Sequence, residues 1–387
     1  MSQRDRSVTE KAVLDAVRDA VADDRPAVVA TVVDVEGSAY RRPGAKMLVE
    51  PTGSGHGHIT AGCLEDEVFD LASDVLDAGE PRIETYDLTA DDDNDVWGMG
   101  VGCNGLIEVL LEPLTETYRP AVEAFFGGRD VAVVTVIDGD RTVFEQGDRA
   151  YYHPDTGRLT APDGSETTEW PAASLSGPAA ELAGRGAADT VTVGDGVEVF
   201  VDGLAAPQEL VVFGTGHDVG PVTEFAAKND FRVTVVGFRG AVDLAGKFPA
   251  ADRVVTTSPP TIAEDLDLDG RTHAVVMTHN FVDDRLTVQS LLEADVPYIG
   301  LMGPRERFEE MLEAFEEAGD PLDGDLSTLY TPVGLDLGGG SPFQIAHSIV
   351  AEVLAVSNGR TPRHLKTREG PIHERVDVES DADAPVQ

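Results

Sequence analysis

Leu210-Val211-Val212-Phe213, Gly214-Thr215-Gly216-His217-Asp218-Val219-Gly220, a helical stretch to Lys228 and the run Phe231 to Val236 follow one another without interruption. Two β-branched apolar runs joined by a glycine turn and one helix make a βαβ unit. In such a unit the glycines let the backbone approach a pyrophosphate, and the helix N-terminus supplies N–H donors. This turn departs from the dinucleotide pattern twice. The third glycine, Gly220, arrives one residue late, and Gly237-Phe238-Arg239 stands where an acid would bind a ribose hydroxyl. The expected fold here is a Rossmann-like doubly wound parallel sheet, without ordinary NAD(P) binding. Arg239 is either a phosphate ligand or an exposed arginine at a strand end.

Downstream, apolar runs at Arg253 to Val255, Ala274 to Met277 and Pro297 to Leu301 alternate with helical patterns near Asp283 to Leu292 and Arg305 to Ala318. Ligands in such sheets bind beyond the carboxyl ends of the strands. That places Thr278-His279-Asn280 and Met302-Gly303-Pro304-Arg305 among the candidates. His279 is a proton carrier or hydrogen-bond partner, or else a turn-stabilising histidine. Asp336 then leads through Leu337 to three glycines, Gly338 to Gly340, and Ser341-Pro342-Phe343-Gln344 reads as a capping box opening a helix to Val356. The glycines make a second candidate anion cradle. From residue 358 to 387 the chain is polar and proline-containing, and disorder is expected.

Upstream, residues 7–206 are expected to form a mixed α/β domain, preceding the Rossmann-like domain over 207–357. Ser7 to Glu10 has capping-box spacing ahead of an amphipathic helix. Ala27 to Val35 reads as a buried strand, with Met47 to Glu50 as its partner. Between them Arg41, Arg42 and Lys46 form a positive spot bounded by glycine and proline. Guanidinium groups grip phosphate or carboxylate in bidentate fashion, so Arg41 and Arg42 are anion-ligand candidates; the alternative is pairing with surface acids.

The only two cysteines both sit in glycine turns: Gly62-Cys63-Leu64-Glu65 enters a helix, and Gly102-Cys103-Asn104-Gly105 precedes the strand from Leu106. Near a helix N-terminus the dipole lowers a thiol pKa, but the first-turn acids Glu65, Asp66 and Glu67 oppose it. The two contexts point to one site; the alternative is a pair of small buried hydrophobes. Pro81 to Leu88 and Val131 to Ile137 read as strands, and Thr117 to Phe126 as a helix. Ala90 to Asp95 is an acidic loop outside calcium-loop register. From Tyr151 to Ala206 the signal weakens into short strands, such as Thr190 to Val193 and Val197 to Val201, and reads as the end of the domain plus a connector.

Acids number 71 against 29 bases, a formal charge of −42, which repels nucleic acid and anionic membranes. Spread along the whole chain, with five lysines among the bases, the charge reads as an adaptation to high salt. Absence of an 18-residue apolar run and of a secretory leader gives a soluble, cytoplasmic expectation. Two cysteines are too few for a disulfide framework or an all-cysteine metal site.

Gly37 to Val49, Gly62-Cys63-Leu64-Glu65, Gly102-Cys103 into Ile107-Glu108-Val109-Leu110, Phe213 to His217, Tyr298-Ile299-Gly300 into Gly303-Pro304-Arg305, and Gly334-Leu335-Asp336 together resemble the xanthine dehydrogenase accessory factor (XdhC/CoxI) family. The resemblance runs in order from residue 25 to 357. It implies an XdhC/CoxI-type domain followed by a Rossmann-like one. It also implies binding of molybdenum cofactor, held for sulfuration and insertion into a molybdenum hydroxylase, with a cysteine desulfurase and the target apoenzyme as partners and a homodimer as the working form. Asn104 departs from the family's usual glycine, and Gly237 from its usual acid. On this reading Cys63 contacts the metal end or relays sulfur, and Cys103 supports it. The cofactor's phosphate would fall to Arg41, Arg42 and the turns at Gly62, Gly102, Gly214, Gly216, His217, His279, Arg305 and Asp336. The alternatives are an NAD(P)- or flavin-dependent oxidoreductase with His279 as proton donor, and a thiol redox sensor, which needs Cys63 and Cys103 within about 7 Å between Cα atoms.

Overall fold

The computed structural model describes residues 8–38, 40–51, 53–60, 62, 64–87, 104–139, 144–194, 196–238, 244, 246–319, 322 and 326–369. Ser7, Cys63, Gly102, Cys103, the acidic loop from Ala90 to Asp95, Arg239 and the tail from 370 lie outside the described residues. The chain divides into two units between Ala206 and Pro207.

The first unit opens with helix α1 (Glu10–Ala22) and strands β1 (Val28–Ser38), β2 (Lys46–Val49) and β3 (Gly55–Gly57). Helix α2 (Glu65–Ala78), β4 (Arg82–Asp87) and β5 (Asn104–Pro113) follow. These strands form one antiparallel sheet in the order β3-β2-β1-β5-β4. Alternate residues of β1 serve its two faces: Val28, Ala30 and Val32 pack with Val68, Ala72 and Val75 of α2, while Val29 packs with Val17, Ala20 and Val21 of α1. Because both faces are covered there, the first half of β1, Val28 to Val33, is apolar but for buried Thr31. The cap of α1 corrects one expectation. Thr9, not Ser7, is the N-cap, its hydroxyl accepting from Ala12 N at 3.2 Å.

Helix α3 (Arg119–Phe126), preceded by a 3-10 turn at Glu116–Tyr118, leads into a second antiparallel sheet. Its strands are β6 (Val131–Asp138), β7 (Arg149–His153), β8 (Arg158–Thr160), β9 (Ala188–Val193) and β10 (Val197–Leu204), in the order β8-β7-β6-β10-β9. Helix α4 (Ala172–Arg185) covers one face with Leu175, Ala179, Leu182 and Ala183. The stretch read as short strands and a connector is most of a sheet with its own core, its β9 and β10 containing the expected strands Thr190 to Val193 and Val197 to Val201. Its local signal is weak because β9 alternates with threonine and aspartate and α4 contains Pro178 and Gly177, so packing overrides propensity. The two sheets meet through Val33 and Leu110 on one side and Ile137 and Phe200 on the other.

The second unit contains β11 (Glu209–Phe213), α5 (Val219–Ala227), β12 (Arg232–Gly237), β13 (Arg253–Thr256), α6 (Ile262–Asp265), β14 (Thr272–Val276), α7 (Phe281–Glu293), β15 (Tyr298–Leu301), α8 (Arg305–Glu317), β16 (Leu329–Tyr330) and α9 (Pro342–Ser357). All strand pairs are parallel, in the order β13-β12-β11-β14-β15-β16. Helices α5 and α9 contribute to the core on one face, and α6, α7 and α8 to that on the other. This is the doubly wound order, with its switch point between β11 and β14.

Candidate functional site

In the first unit, two of the stretches singled out in the sequence adjoin at one end of the first sheet. Strand β1 ends as β5 begins, with Gly37 opposite Gly105 and Ser38 opposite Asn104, the residue after Cys103. Just beyond Ser38, the Tyr40 ring lies 5.9 Å from that of His58, with 40° between their planes. His58 in turn leads into the turn that carries Gly62. The positive loop therefore lies near His58 and follows a strand that ends at the start of β5, although these stretches are far apart in sequence.

The loop is tied down, and this separates its three bases. Lys46 Nζ is bound by Asp202 at 2.7 and 2.8 Å and by Gly44 O at 2.8 Å, with both charged side chains 10% exposed. Arg41 Nη2 donates to Glu10 at 3.0 Å in an exposed pair. A largely buried ion pair thus accounts for Lys46 and an exposed one in part for Arg41, while Arg42 is exposed.

The Gly62 turn is built on two residues that sequence reasoning missed. Glu65 is fully buried; its Oε1 accepts from Thr60 N at 3.0 Å and its Oε2 from Thr60 Oγ1 at 2.7 Å and Leu64 N at 3.3 Å. Thr60 Oγ1 also accepts from Gly62 N at 3.3 Å. Of the three first-turn acids, Glu65 turns inward while Asp66 and Glu67 are exposed. The available signal was periodicity: Glu65 precedes Val68 and Phe69 by three and four residues, on the buried stripe of α2. Gly62 itself is exposed, at φ 115°, and a Cβ there would meet no atom of the described residues within 4 Å, its chain neighbours aside.

In the second unit the candidates gather at the carboxyl edge of the sheet. Gly214, at φ 148°, lies so near β14 that a Cβ would come within 2.4 Å of Met277 O. A Cβ on Gly216 would stand 2.2 Å from Asp218 Oδ1, because that carboxylate folds back over the turn. Asp218 Oδ2 is 2.8 Å from His279 Nε2, and His279 holds the left-handed φ of 60°. Such a conformation is costly for a non-glycine residue and persists only when neighbours enforce it. Here the enforcing group is buried Asp284, whose Oδ1 accepts from Thr278 N at 3.2 Å and Thr278 Oγ1 at 2.5 Å.

Asp284 Oδ2 also holds Arg307 Nη2 at 2.5 Å. Arg305, the arginine chosen from sequence, is exposed, and Arg307 is the one built into the edge. His217 and Asp336 are exposed as well. The loop before Asp336 is pinned where Glu352 Oε2 accepts from Gly334 N and Tyr298 OH, both at 2.8 Å. Burial, together with Glu352, pushes Tyr298 far above the usual phenol range, so this hydroxyl remains a donor. The glycine run after Asp336 is closed by its own chain: Gln344 Oε1 accepts from Gly340 N at 3.1 Å and Ser341 N at 3.2 Å. Beside Gly237, Leu244 and Thr215 approach the position of a Cβ to 2.9 and 3.1 Å, and Lys247 Nζ donates to Thr215 O. Protein atoms thus fill the space next to the residue that replaces the ribose-binding acid.

The model of the XdhC and CoxI family matches residues 9–87, and that of the XdhC Rossmann domain matches residues 210–353. A probable xanthine dehydrogenase subunit from Bacillus subtilis is 30% identical over 342 residues, covering 86% of this chain and 93% of that protein. The uncharacterized protein YqeB of Escherichia coli is 27% identical over 177 residues, 45% of this chain and 32% of YqeB. Among solved structures, a xanthine dehydrogenase from Bacillus halodurans superimposes with a TM-score of 0.69 at 27% identity, covering 90% of this chain and 96% of the other.

Proposed function

This chain belongs to the XdhC and CoxI family, a membership that supports an accessory role in xanthine dehydrogenase maturation, and on that footing we propose that it binds molybdenum cofactor and holds it for sulfuration and insertion. The observation that supports this reading is that the strand leading into the Arg41-Arg42 loop ends beside the start of β5, while Tyr40 of that loop stands near His58, four residues before Gly62.

The residues there suit such cargo. Arg42 is an exposed guanidinium for a phosphate, and Gly62 leaves open space beside its Cα. The cargo brings a dithiolene-bound metal that prefers soft sulfur partners, which Cys63 and Cys103 would offer. The chain's own work is to bind, to orient and to present: Glu65 and Thr60 fix the backbone on either side of the turn, and the Lys46–Asp202 pair fixes the positive loop. In the second unit His279 and Arg307 offer a further set of polar contacts. A molybdenum hydroxylase apoenzyme and a cysteine desulfurase are the proposed partners, with a homodimer working in the cytoplasm. The oxidoreductase reading is weaker, because Leu244 and Thr215 crowd Gly237.

Expression at high salt in a host that makes molybdenum cofactor, followed by assay of metal and released oxidised pterin in the purified protein, tests the proposal. Near-stoichiometric pterin and metal are expected, with both falling in Cys63→Ala. Protein that carries a nicotinamide or flavin nucleotide and neither pterin nor molybdenum would overturn it.

A further inference from the structure

A single exposed aromatic side chain is ordinary; what sets Tyr40 apart is how it is supported. It is 62% exposed, the highest value among the exposed large hydrophobic residues. Its loop is nevertheless fixed, by Gly44 N on Val32 O at 2.8 Å, Ala45 N on Arg42 O at 3.1 Å and the buried Lys46–Asp202 pair. His58 stands against the Tyr40 ring at 5.9 Å between centroids. A flat ring inserted between the two would need about 7 Å, twice the contact distance of carbon atoms. The two rings, tilted by 40°, are thus too close to admit a third between them, and Tyr40 keeps 62% of its surface exposed for a ligand on its free side. Two residues further along the same loop comes exposed Arg42.

A supported aromatic face next to a guanidinium fits a ligand that is flat at one end and anionic at the other. We infer that Tyr40, backed by His58, is a stacking platform for a planar heteroaromatic ring, with Arg42 taking the anionic group of the same molecule. The inference rests on the cargo reading above: the pterin of molybdenum cofactor is such a ring, and its phosphate is such a group. In a chain of net charge −42 an anionic ligand gains little from long-range attraction, so a contact that carries no charge matters more here than in a basic protein.

The test is a titration of the full-length chain with free oxidised pterin at fixed high salt, read by quenching of pterin fluorescence, alongside the pterin content of protein purified from the cofactor-producing host. Tyr40→Ala should weaken pterin binding about tenfold or more, and Tyr40→Phe should restore it, since stacking needs the ring and not the hydroxyl. Exposed Tyr40 packs little of the core, so an unchanged melting curve will show that the variants fold. If the unaltered chain retains pterin and Tyr40→Ala retains as much, the platform is wrong and the cargo reading stands. If a flavin or adenine nucleotide co-purifies instead and is lost from Tyr40→Ala, the platform stands and the cargo reading falls. A chain that binds no flat heterocycle at all overturns both.

Discussion

Arg149 Nη2 in β7 lies 2.6 and 2.7 Å from the two carboxylate oxygens of Glu112 in β5, so a buried ion pair joins the two sheets of the first unit. Neither side chain is more than 8% exposed. Tyr118 donates its hydroxyl to Glu112 at 3.1 Å, and its ring lies 4.1 Å from the guanidinium carbon of Arg149. Burial first and Glu112 second push the Tyr118 phenol well above its usual range, which keeps it a donor.

Removing one partner leaves the other charge buried without compensation, a loss of about 3–5 kcal/mol. Arg149→Met should therefore lose most of that stability in chemical denaturation at fixed salt. Adding Glu112→Leu should recover a large part. A single variant that melts like the parent would show that the pair holds nothing.

Glu65→Gln keeps the shape of the Gly62 turn but sets an amide NH2 against one of the groups that Glu65 now accepts from. The expected loss is about 1–3 kcal/mol. Pterin content should fall in the same variant, while Glu67→Gln, an exposed neighbour, should leave both measurements unchanged.

Burial lowers the imidazole pKa of His273 below its ordinary 6.5, against the opposing pull of the Arg271 and Glu209 backbones. Below 6.5 the unfolded chain binds the proton more readily than the folded one, so stability falls as pH drops from 6.5 toward the folded pKa and is flat above it. His153, also lowered by burial, has the same sign. His273→Leu should therefore reduce, without abolishing, the loss of stability between neutral and mildly acid pH. An unaltered pH profile in that variant would contradict the assignment.

Dilution of salt should unfold the chain, because at −42 its self-repulsion is screened only at high ionic strength. Circular dichroism during stepwise desalting reads this directly. A spectrum that holds at low salt would mean that the folded state tolerates its charge.

The parallel sheet was legible because strands buried on both faces are continuous apolar runs, and Phe213-Gly214 follows such a run directly. The box at Ser341 and Gln344 was legible for a local reason, since both partners lie within one helical turn. The second sheet was legible only in part: Val131 to Ile137, Thr190 to Val193 and Val197 to Val201 read as strands, whereas β7, β8 and α4 did not stand out. Lys46 and Asp202 are 156 residues apart, and no local pattern couples them. Arg305 and Arg307 share the first turn of one helix; only the position of Asp284 on a neighbouring helix selects the second. The glycine turns themselves stand out in the sequence, whereas Thr60 and Glu65, which shape one of them, read as an ordinary threonine and one acid among three.

Among the described residues β4 is joined to its sheet only through β5, which returns from beyond residue 103 to slot between β4 and β1. A fragment cut at residue 87, where the first family match stops, would strand β4 without a neighbour and deprive Lys46 of its counter-ion. The stretch matched by that family model is therefore no autonomous module. Transplanted alone into another protein it would arrive incomplete, and a graft meant to carry its site would have to extend at least to Leu204.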